Sequence, residues 1–313
     1  MKALIIDEVY EGISRELGKY MTVDTKMLPT QEELANLIGE YDVLIMRVDP
    51  AINKEILDAA KNLKVIGVCS VGLNHIDLDA AKAKGIQVFN APGMNGNAVA
   101  ELTLAKMLEL SRHTIPADYD VTTNKHWDKY RFVGRELRGK TLGILGFGRI
   151  GQRVGELGRA FLMNVVAYDP FLPAHVFEEQ HAQSLSIAEV LRVSDFVTIH
   201  MPLTDETRHM FNAESLASMK PDAVVLNMAR GGIVDEKAMY EALKAGKIGG
   251  YATDVMEDEL AEGGLTEDAS MDSPLFECDN FIVTPHLGAQ TVDASRDVGN
   301  YIIDKVKTAL SLS

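Results

Sequence analysis

Short apolar runs alternate with segments of helical spacing along almost the whole chain, and this alternation constrains the fold more than any other feature of the sequence. Runs of a few residues rich in Val, Ile or Leu are typical of strands buried on both faces. The alternation therefore predicts the α/β class, with parallel sheets covered by helices. The predicted strands are Ala3–Ile6, Val43–Met46, Val65–Val68, Val88–Asn90, Thr141–Leu145, Asn164–Tyr168, Phe196–His200, Ala223–Asn227 and Ile282–Thr284.

Helix signals lie between these runs. Four residues stand just before segments of helical spacing, in the position of a helix N-cap. They are Thr30, Asn53, Asp77 and Ser186. The segment Asn97–Ile115 is longer and carries apolar residues around much of its circumference, which predicts one long helix buried on more than one side. Because 313 residues exceed the usual size of a single core, we expect two domains linked by this helix.

Composition excludes several classes of function. The formal net charge of -15 argues against nucleic acid or an anionic membrane as a partner, because binding phosphate backbones requires clustered Lys and Arg. No apolar stretch approaches the roughly 18 residues of a membrane span. The run that begins at Met1 is followed at once by Asp7 and Glu8, which is unlike a signal peptide, so we expect a cytoplasmic protein. Cys69 and Cys278 stand far apart without a CxxC motif, which predicts neither a disulfide framework nor a metal site.

A glycine-rich motif follows the predicted strand Thr141–Leu145. Gly146, Gly148 and Gly151 form the pattern GxGxxG, and a segment of helical spacing comes directly after it. In this context the first glycine permits a tight turn, the second lets the backbone approach a pyrophosphate, and the third allows close packing of the helix. The N–H groups and the dipole at the start of that helix favour an anion. The motif therefore predicts a dinucleotide-binding domain.

An acidic residue follows the next predicted strand. Asp169 stands 18 positions after Gly151. A carboxylate at this place accepts hydrogen bonds from the adenosine ribose hydroxyls and repels a 2′-phosphate. Pro170 and Phe171 offer no cation to offset that repulsion. NAD is therefore predicted as the cofactor in preference to NADP.

Three polar residues follow later strands, where the carboxyl ends of parallel strands bind ligands. Arg230 comes after Ala223–Asn227, His286 comes after Ile282–Thr284, and Asp254 follows a further probable strand. Taken singly, each has an ordinary structural explanation, such as a surface ion pair or packing. Together, at one sheet edge behind a dinucleotide loop, Arg230 and His286 indicate a catalytic site.

With these motifs in view, the chain resembles the D-isomer-specific 2-hydroxyacid dehydrogenase family. The resemblance spans nearly the whole chain, from the loop Ser70–Asp77 through Asn90–Gly93 to His286. It implies an NAD-dependent oxidoreductase that moves a hydride between the nicotinamide and a small anionic D-2-hydroxy acid or its 2-oxo acid. The implied fold is a pair of doubly wound parallel-sheet domains, one a Rossmann NAD domain and the other a flavodoxin-like substrate domain. The implied boundaries are residues 1–98 with 286–313 for the substrate domain and 99–285 for the NAD domain.

The resemblance also implies roles for individual residues. The implied catalytic set is Arg230, Glu259 and His286. The implied substrate contacts are Arg47 and the main-chain N–H groups of Val71 and Gly72. Asp254 is expected beside the nicotinamide carboxamide. The full set of implied cofactor contacts is Gly146, Gly148, Arg149, Ile150, Gly151, Asp169, His200, Met201, Met228, Ala229, Asp254 and Gly288.

Chemistry supplies a reason for each member of the catalytic set. Reduction of a ketone builds negative charge on its oxygen, so that a general acid must deliver a proton, and His286 fits this role. A carboxylate on the other ring nitrogen would raise the pKa of the histidine, and Glu259 is the candidate. Arg230 offers a planar fork of donors for the substrate carboxylate. The register of the glutamate stays open, because other acids stand nearby and leucine replaces the proline usual in the family: Glu257, Asp258, Glu262 and Leu260.

Two other interpretations share this fold. Formate dehydrogenases pair their histidine with glutamine, whereas this chain has Glu259. Corepressor-like proteins that sense NAD(H) tend to carry extra terminal segments, which we do not expect here. Steady oxidation of NADH on addition of a 2-oxo acid would separate an enzyme from a sensor.

The substrate itself stays open. Arg47 stands where phosphoglycerate dehydrogenases have an arginine for the phosphate, and Lys129 and Arg131 could assist from a neighbouring subunit. Against a phosphorylated substrate, Val68 occupies a position where those enzymes often have a second arginine, and no C-terminal regulatory domain is expected. The resemblance also implies a homodimer, to which the region Asn97–Trp127 would contribute.

Overall fold

The computed structural model describes residues 1–257 and 271–312, which belong to two compact units. Unit 1 comprises Met1–Asn95 and Ala289–Ser313, and unit 2 comprises Gly96–Gly288. Each unit has its own parallel sheet and its own apolar core. The predicted fold of two doubly wound α/β domains is therefore confirmed.

Unit 1 is built on a flavodoxin-like sheet. Its strands are β1 (Lys2–Ile5), β2 (Thr22–Thr25), β3 (Val43–Met46), β4 (Val65–Val68) and β5 (Gln87–Phe89). Its helices are α1 (Gly12–Leu17), α2 (Gln31–Leu37), α3 (Lys54–Ala59), α4 (Leu78–Ala83) and, at the end of the chain, α12 (Val292–Ala309). The strand order is β2-β1-β3-β4-β5, and the pairs are parallel. The direction of winding reverses between β1 and β3, which is where ligands bind in folds of this order.

Both faces of this sheet are buried. Leu4 and Leu44 belong to the core on one face, while Ile5 and Ile45 belong to the core on the other face, which includes residues of α12. Because successive side chains of a strand point to opposite faces, a sheet covered on both sides needs apolar residues along the whole strand. This is why unbroken apolar runs predicted these strands.

Unit 2 is built on a sheet that contains seven strands within the described residues. They are β6 (Thr141–Leu145), β7 (Asn164–Tyr168), β8 (Gln183–Ser184), β9 (Phe196–Ile199), β10 (Val224–Asn227), β11 (Gly250–Thr253) and β12 (Phe281–Val283). The helices are α5 (Gly96–Arg112), α6 (Thr114–Thr122), α7 (Arg149–Ala160), α8 (Ala174–Glu179), α9 (Ile187–Val193), α10 (Ala213–Ala217) and α11 (Glu236–Lys244). The order is β12-β11-β10-β9-β6-β7-β8, and every pair is parallel. The winding reverses between β6 and β9, as in a Rossmann fold.

The four predicted N-caps are all present in the structure. In each case the side chain accepts a hydrogen bond from an N–H group in the first turn of its helix. Thr30 and Ser186 also form capping boxes with Glu33 and Glu189. Each cap stabilises its helix by about 1 kcal/mol, so that the sequence marks where these helices begin.

Two predicted features differ from the structure. The single helix predicted over Asn97–Ile115 ends at Arg112, and α6 begins at Thr114 after His113, whose φ of 53° is left-handed. A residue in that conformation interrupts the helical hydrogen-bond pattern, so the chain turns there. The strands β2 and β8 were not predicted, because they lie at the edges of their sheets and their residues are not an apolar run.

The unit boundaries also differ from the expected ones by three residues at each junction. Unit 2 begins at Gly96 instead of residue 99, because α5 begins there. It ends at Gly288 instead of residue 285, because the N–H groups of Leu287 and Gly288 bind the side chain of Asp254. His286 therefore belongs to the same unit as Arg230.

None of the helices in the described part of the chain is both long enough and apolar enough to cross a lipid bilayer.

Candidate active site

One row of residues crosses the sheet of unit 2 where its strands end. Across the sheet the row is Tyr168, Leu145, Ile199, Asn227, Thr253 and Val283. Adjacent parallel strands lie about 4.8 Å apart, so the loops that follow these residues all leave the same edge. The glycine motif, Arg230, Asp254 and His286 stand in four of these loops. The structure therefore brings these sequence-predicted residues to one edge of one unit.

The three glycines of the motif have different surroundings. Gly146 has a φ of 90°, and a Cβ atom there would lie 2.8 Å from the carbonyl oxygen of His200. A Cβ on Gly151 would lie 2.2 Å from the carbonyl oxygen of Gly146. A Cβ on Gly148, in contrast, would meet no atom within 4 Å. The first and third glycines are therefore required by packing of this unit, whereas the second faces open space that a ligand can approach.

The helix that follows is suited to an anion. α7 has Gly148 as its N-cap, and a glycine has no side chain that could bind the N–H groups of the first turn. Ile150 is half-buried in the first turn of α7 and packs on the core of the unit. The open space beside Gly148 and the positive end of the helix dipole together fit a dinucleotide pyrophosphate.

Asp169 connects the loop after β6 with the loop after β7. Its Oδ2 accepts a hydrogen bond from the N–H of Phe147 at 2.9 Å, and its Oδ1 accepts one from the N–H of Phe171 at 3.0 Å. The carboxylate is half-buried, and each oxygen retains a second acceptor position. The predicted contact with the ribose hydroxyls is compatible with this geometry.

His200 is a neutral residue of the same edge. Burial lowers the pKa of His200 to about 3, so that the imidazole stays uncharged at physiological pH. Its Nε2 lies 2.9 Å from Oγ1 of Thr198, while its buried Nδ1 has no hydrogen-bond partner among the described residues. Met201, the next residue, is buried with its Cγ within 2.8 Å of where a Cβ on Gly146 would stand. Both residues follow β9, which lies beside β6 at the position where the winding of the sheet reverses.

The loop that carries Arg230 is folded onto the side chain of Asn227. Oδ1 of Asn227 accepts a hydrogen bond from the N–H of Ala229 at 3.2 Å, and Nδ2 donates one to the carbonyl of Arg230 at 2.9 Å. Met228 and Ala229 are buried, whereas Arg230 is exposed. The strand end thus fixes the backbone of this loop and leaves the guanidinium at the surface of the unit.

A close contact between backbones fixes the next residue. A Cβ on Gly231 would lie 2.0 Å from the carbonyl oxygen of Met256, which no side chain could tolerate. Met256 follows β11, the strand beside β10. Glycine at position 231 therefore lets the loop of Arg230 pack directly against the loop after β11.

Asp254 holds the loop that carries His286. Its buried carboxylate accepts three hydrogen bonds, at 2.6 Å from Oγ1 of Thr284, at 2.8 Å from the N–H of Leu287 and at 2.7 Å from the N–H of Gly288. The N–H of His286 donates to the carbonyl of Asp254 at 3.0 Å. Sequence reasoning expected this aspartate beside the nicotinamide and did not foresee that it orders the histidine loop.

The backbone of His286 has a left-handed conformation. Its φ is 53°, which is uncommon for a residue with a Cβ atom, and the residue is exposed. The four hydrogen bonds to Asp254 described above oblige the loop to adopt this conformation. The imidazole is thereby presented at the carboxyl end of β12 from a rigid loop.

The predicted partner of His286 is Glu259, which lies outside the described residues, as do Asp258, Leu260 and Glu262. Glu257, one of the alternative acids, is described. Its Oε1 lies 2.9 Å from Nε2 of His209 and accepts a hydrogen bond from the N–H of Glu236 at 3.3 Å. The N–H of Glu257 donates in return to Oε1 of Glu236 at 2.8 Å. Glu257 is therefore engaged by the start of α11 and lies beside His209.

The predicted substrate loop of unit 1 lies after β4. Oγ of Ser70 lies 3.1 Å from the carbonyl oxygens of both Arg47 and Gly72, and Nδ2 of Asn90 donates to the carbonyl of Val71 at 2.6 Å. The carbonyls of this loop are thus held by side chains. The N–H groups of Val71 and Gly72 have no acceptor among the described residues, and a Cβ on Gly72 would meet no atom within 4 Å.

The loop that carries Arg47 is fastened to the loop after β1. Oδ2 of Asp7 accepts hydrogen bonds from the N–H groups of Arg47 and Val48, both at 3.0 Å, and Oδ1 accepts one from Glu8 at 2.7 Å. This contact spans the position between β1 and β3 where the winding of the sheet reverses. Sequence reasoning had not singled out Asp7 for this role.

Among residues 1–257 and 271–312, no three His, Cys, Asp or Glu side chains are grouped in a way that could hold a metal ion.

Comparison with known proteins adds to this geometry. Residues 104–288 match the family model described as "D-isomer specific 2-hydroxyacid dehydrogenase, NAD binding domain". The chain is 41% identical over 99% of its length to D-3-phosphoglycerate dehydrogenase of Methanocaldococcus jannaschii, of which it covers 57%. It is 39% identical to hydroxypyruvate reductase of Thermotoga maritima, over 90% of this chain and 89% of that protein. The structure resembles that of D-lactate dehydrogenase from Aquifex aeolicus with NAD and lactic acid, with a TM-score of 0.82, 30% identity and coverage of 99% and 96% of the two chains.

The strand-end site of unit 2, with its glycine loop and its acidic residue after β7, has the arrangement of a Rossmann dinucleotide site. The chain belongs to the D-isomer-specific 2-hydroxyacid dehydrogenase family. The predicted family and the predicted NAD cofactor are thus confirmed. The chain spans little more than half the length of several phosphoglycerate dehydrogenases that it matches.

Proposed function

We propose that this chain is an NAD-dependent dehydrogenase that interconverts a small D-2-hydroxy acid and its 2-oxo acid. The observation that carries the proposal is the row of strand ends in unit 2. It sets the loops of Arg230 and His286, which follow strands on either side of β11, on the edge that also bears the glycine loop. The relatives named above are enzymes acting on acids of this class, which supports the same conclusion.

The cofactor assignment rests on three features of unit 2. Gly148 faces open space at the start of α7, Asp169 presents a half-buried carboxylate, and His200 has a buried Nδ1 without a partner among the described residues. Gly148 would lie against the pyrophosphate, Asp169 would bind the ribose, and His200 would line the cofactor. Bound NAD supplies the nicotinamide carbon that gives or takes the hydride.

The side chains perform the remaining chemistry. The guanidinium of Arg230 binds the substrate carboxylate through its planar fork and polarises the neighbouring carbonyl. The imidazole of His286 donates a proton from a ring nitrogen to the carbonyl oxygen as negative charge builds there, and takes it back in the oxidation. Glu259 keeps its predicted role of raising the pKa of this histidine. The N–H groups of Val71 and Gly72 keep their predicted role as donors to the substrate carboxylate.

The test is an assay of NADH oxidation, followed by absorbance, with a panel of 2-oxo acids. We expect steady turnover with at least one member of the panel, which should include hydroxypyruvate, pyruvate and larger branched and aromatic acids. Binding of NADH without turnover of any 2-oxo acid would favour the alternative of an NAD(H)-sensing, corepressor-like protein.

Two variants separate catalysis from binding. Arg230→Lys keeps the charge but loses the fork, and should lower kcat/KM by more than about a hundredfold, or roughly 2.7 kcal/mol, with little change in NADH affinity. Arg138→Lys is the matched control, because Arg138 is 70% exposed and precedes β6 at the opposite edge of the sheet. His286→Ala should lose about a hundredfold to ten-thousandfold at every pH. Near-normal activity in either active-site variant would exclude the assigned role.

The active form is proposed to be a homodimer that uses the region after α6. Trp127, Tyr130 and Val133 expose 89%, 76% and 73% of their surface, which is unusual for large apolar side chains. The segment is ordered by the buried carboxylate of Asp120, which Nη1 of Arg131 contacts at 3.0 Å. Light scattering should give a dimer for the parent chain and a monomer for Trp127→Ala with Tyr130→Ala, whereas a monomeric parent would contradict the proposal.

We also propose a cytoplasmic location. Both cysteines are free and buried, which is typical of a reducing compartment. Fractionation of the producing cells with an antibody to the chain would test this, and recovery in the membrane or secreted fraction would contradict it.

A further inference from the structure

The loops after β1 and β3 in unit 1 bring a carboxylate against the backbone of the candidate substrate arginine. Oδ2 of Asp7 accepts hydrogen bonds from the N–H groups of Arg47 and Val48 at 3.0 Å. The position lies between β1 and β3, where the winding of the sheet reverses and ligands of such folds bind. A negative charge is thus fixed at the base of Arg47.

The loops near Arg47 include a second acid and a histidine whose pKa is lowered. Asp49, two residues further on, is exposed, and it acts electrostatically on His75 together with Asp7. Burial lowers the pKa of His75 in spite of these two acids, so that the imidazole is neutral at physiological pH. These loops therefore carry the two carboxylates of Asp7 and Asp49 in addition to the cation of Arg47. Glu8, which is exposed, adds a further negative charge.

The neighbouring strand end supplies no second cation. Val68, in register with Met46 at the end of β3, is fully buried in the core of unit 1. Cys69 follows it, and burial raises the pKa of this thiol to about 12, so that it is neutral. The end of β4 is therefore uncharged next to the loop of Arg47.

We propose that this edge of unit 1 selects 2-oxo acids whose far end is uncharged, and that Asp7 and Asp49 discriminate against phosphorylated ones. The inference rests on the proposed function. A phosphate monoester carries nearly two negative charges at neutral pH, and one guanidinium, in loops that also carry two carboxylates, cannot neutralise them. A hydroxyl group or an alkyl group at the same place meets no such repulsion. Arg47 then binds a neutral polar group of the substrate instead of a phosphate.

The test compares hydroxypyruvate with its 3-phosphate, which differ only in the phosphate. We expect kcat/KM for the phosphorylated acid to be at least about tenfold lower at low ionic strength. The gap should narrow as salt is added, because the Debye length falls from about 30 Å at 0.01 M to about 10 Å at 0.1 M and the repulsion is screened. If another 2-oxo acid is the best substrate, the same pair is compared as competing inhibitors, with the same expected order.

A charge-neutralising variant assigns the effect to these loops. Asp49→Asn should raise kcat/KM for the phosphorylated acid several-fold and change that for hydroxypyruvate by less than about twofold. Glu40→Gln is the matched control, because Glu40 is 73% exposed, pairs with Lys2 at 3.0 Å and precedes β3 at the opposite edge of the sheet. The control should leave the ratio of the two substrates unchanged.

The outcomes separate this inference from the proposed function. Equal or better use of the phosphorylated acid would overturn the inference and leave the dehydrogenase intact. The inference is also overturned, and the dehydrogenase left intact, if Asp49→Asn and Glu40→Gln change the ratio of kcat/KM for the two substrates equally. Failure of every 2-oxo acid to oxidise NADH would overturn both.

Discussion

The hydrogen bonds around Asp254 predict that a single isosteric substitution loosens the loop of His286. In Asp254→Asn the amide keeps one oxygen, which can still accept the hydrogen bonds from Thr284 and Leu287. Its NH₂ group then faces the N–H of Gly288, and both groups are donors. One charge-assisted hydrogen bond, worth about 1.5 to 3 kcal/mol, is then replaced by two donors facing each other. The other two bonds weaken, because their acceptor is no longer charged. The lower cost of burying a neutral amide offsets part of the loss.

The net expectation is a loss of about 2 to 4 kcal/mol in the stability of the fold around this loop. Guanidinium unfolding of the purified chain, followed by circular dichroism, measures it. Asp222→Asn is the matched control, since Asp222 is 70% exposed and its ion pair with Arg135 contributes no more than about 1 kcal/mol. We also expect kcat/KM of Asp254→Asn to fall at least about tenfold, because His286 is no longer held in one position.

The opposite pattern would refute this reasoning. If Asp254 acts only on the nicotinamide, Asp254→Asn will weaken NADH binding while its unfolding free energy stays within about 0.5 kcal/mol of the parent value. Fluorescence titration with NADH and the unfolding curve therefore distinguish the two roles.

Three further predictions follow from the site. Asp169→Ala should erode a preference for NADH over NADPH of at least about tenfold, or roughly 1.4 kcal/mol, and equal use of both cofactors by the parent would contradict the assignment. Glu259→Gln should move the loss of reductase activity at high pH to lower pH, because a neutral amide stabilises the imidazolium of His286 less. If activity is lost at the same pH in the variant and the parent, His286 has another partner. Burial lowers the pKa of His200 to about 3, below the ordinary 6.5. Below about pH 6.5 the histidine is therefore protonated in the unfolded chain but not in the folded chain, and the stability of the fold decreases as the pH drops. His200→Gln, which retains a hydrogen-bond partner for Thr198, should show a shallower loss between pH 6.5 and 5, by up to about 1.4 kcal/mol per pH unit, and equal slopes in denaturant unfolding would refute this.

Local patterns in the sequence predicted most of the elements that build the site. The apolar runs of β3, β6 and β10 are recognisable because a sheet buried on both faces requires them at every position. Capping residues such as Thr30 and Ser186 are recognisable because their hydrogen bonds reach only three residues along the chain. The glycine motif is equally local, and two of its three glycines are required by contacts within or beside the motif itself.

Other features depend on neighbours that are distant in sequence. β2 and β8 are short and polar, and they are strands only because a neighbouring strand pairs with them. The turn at His113 interrupts a segment whose apolar residues predicted one continuous helix. Asp7, 40 positions before Arg47 in the chain, accepts a hydrogen bond from its N–H group, which no local pattern indicates.

The sequence by itself thus determined the fold class, the cofactor motif and the types of residue available for catalysis, since each of these is written in short-range patterns. Only the tertiary structure decided that Asp254 orders the loop of His286, that Glu257 lies beside His209, and that Asp7 accepts a hydrogen bond from the N–H of Arg47. These contacts join loops from different strands, and strand order and register bring such loops together. The order and register of a sheet follow from the packing of the whole unit, which no local pattern specifies.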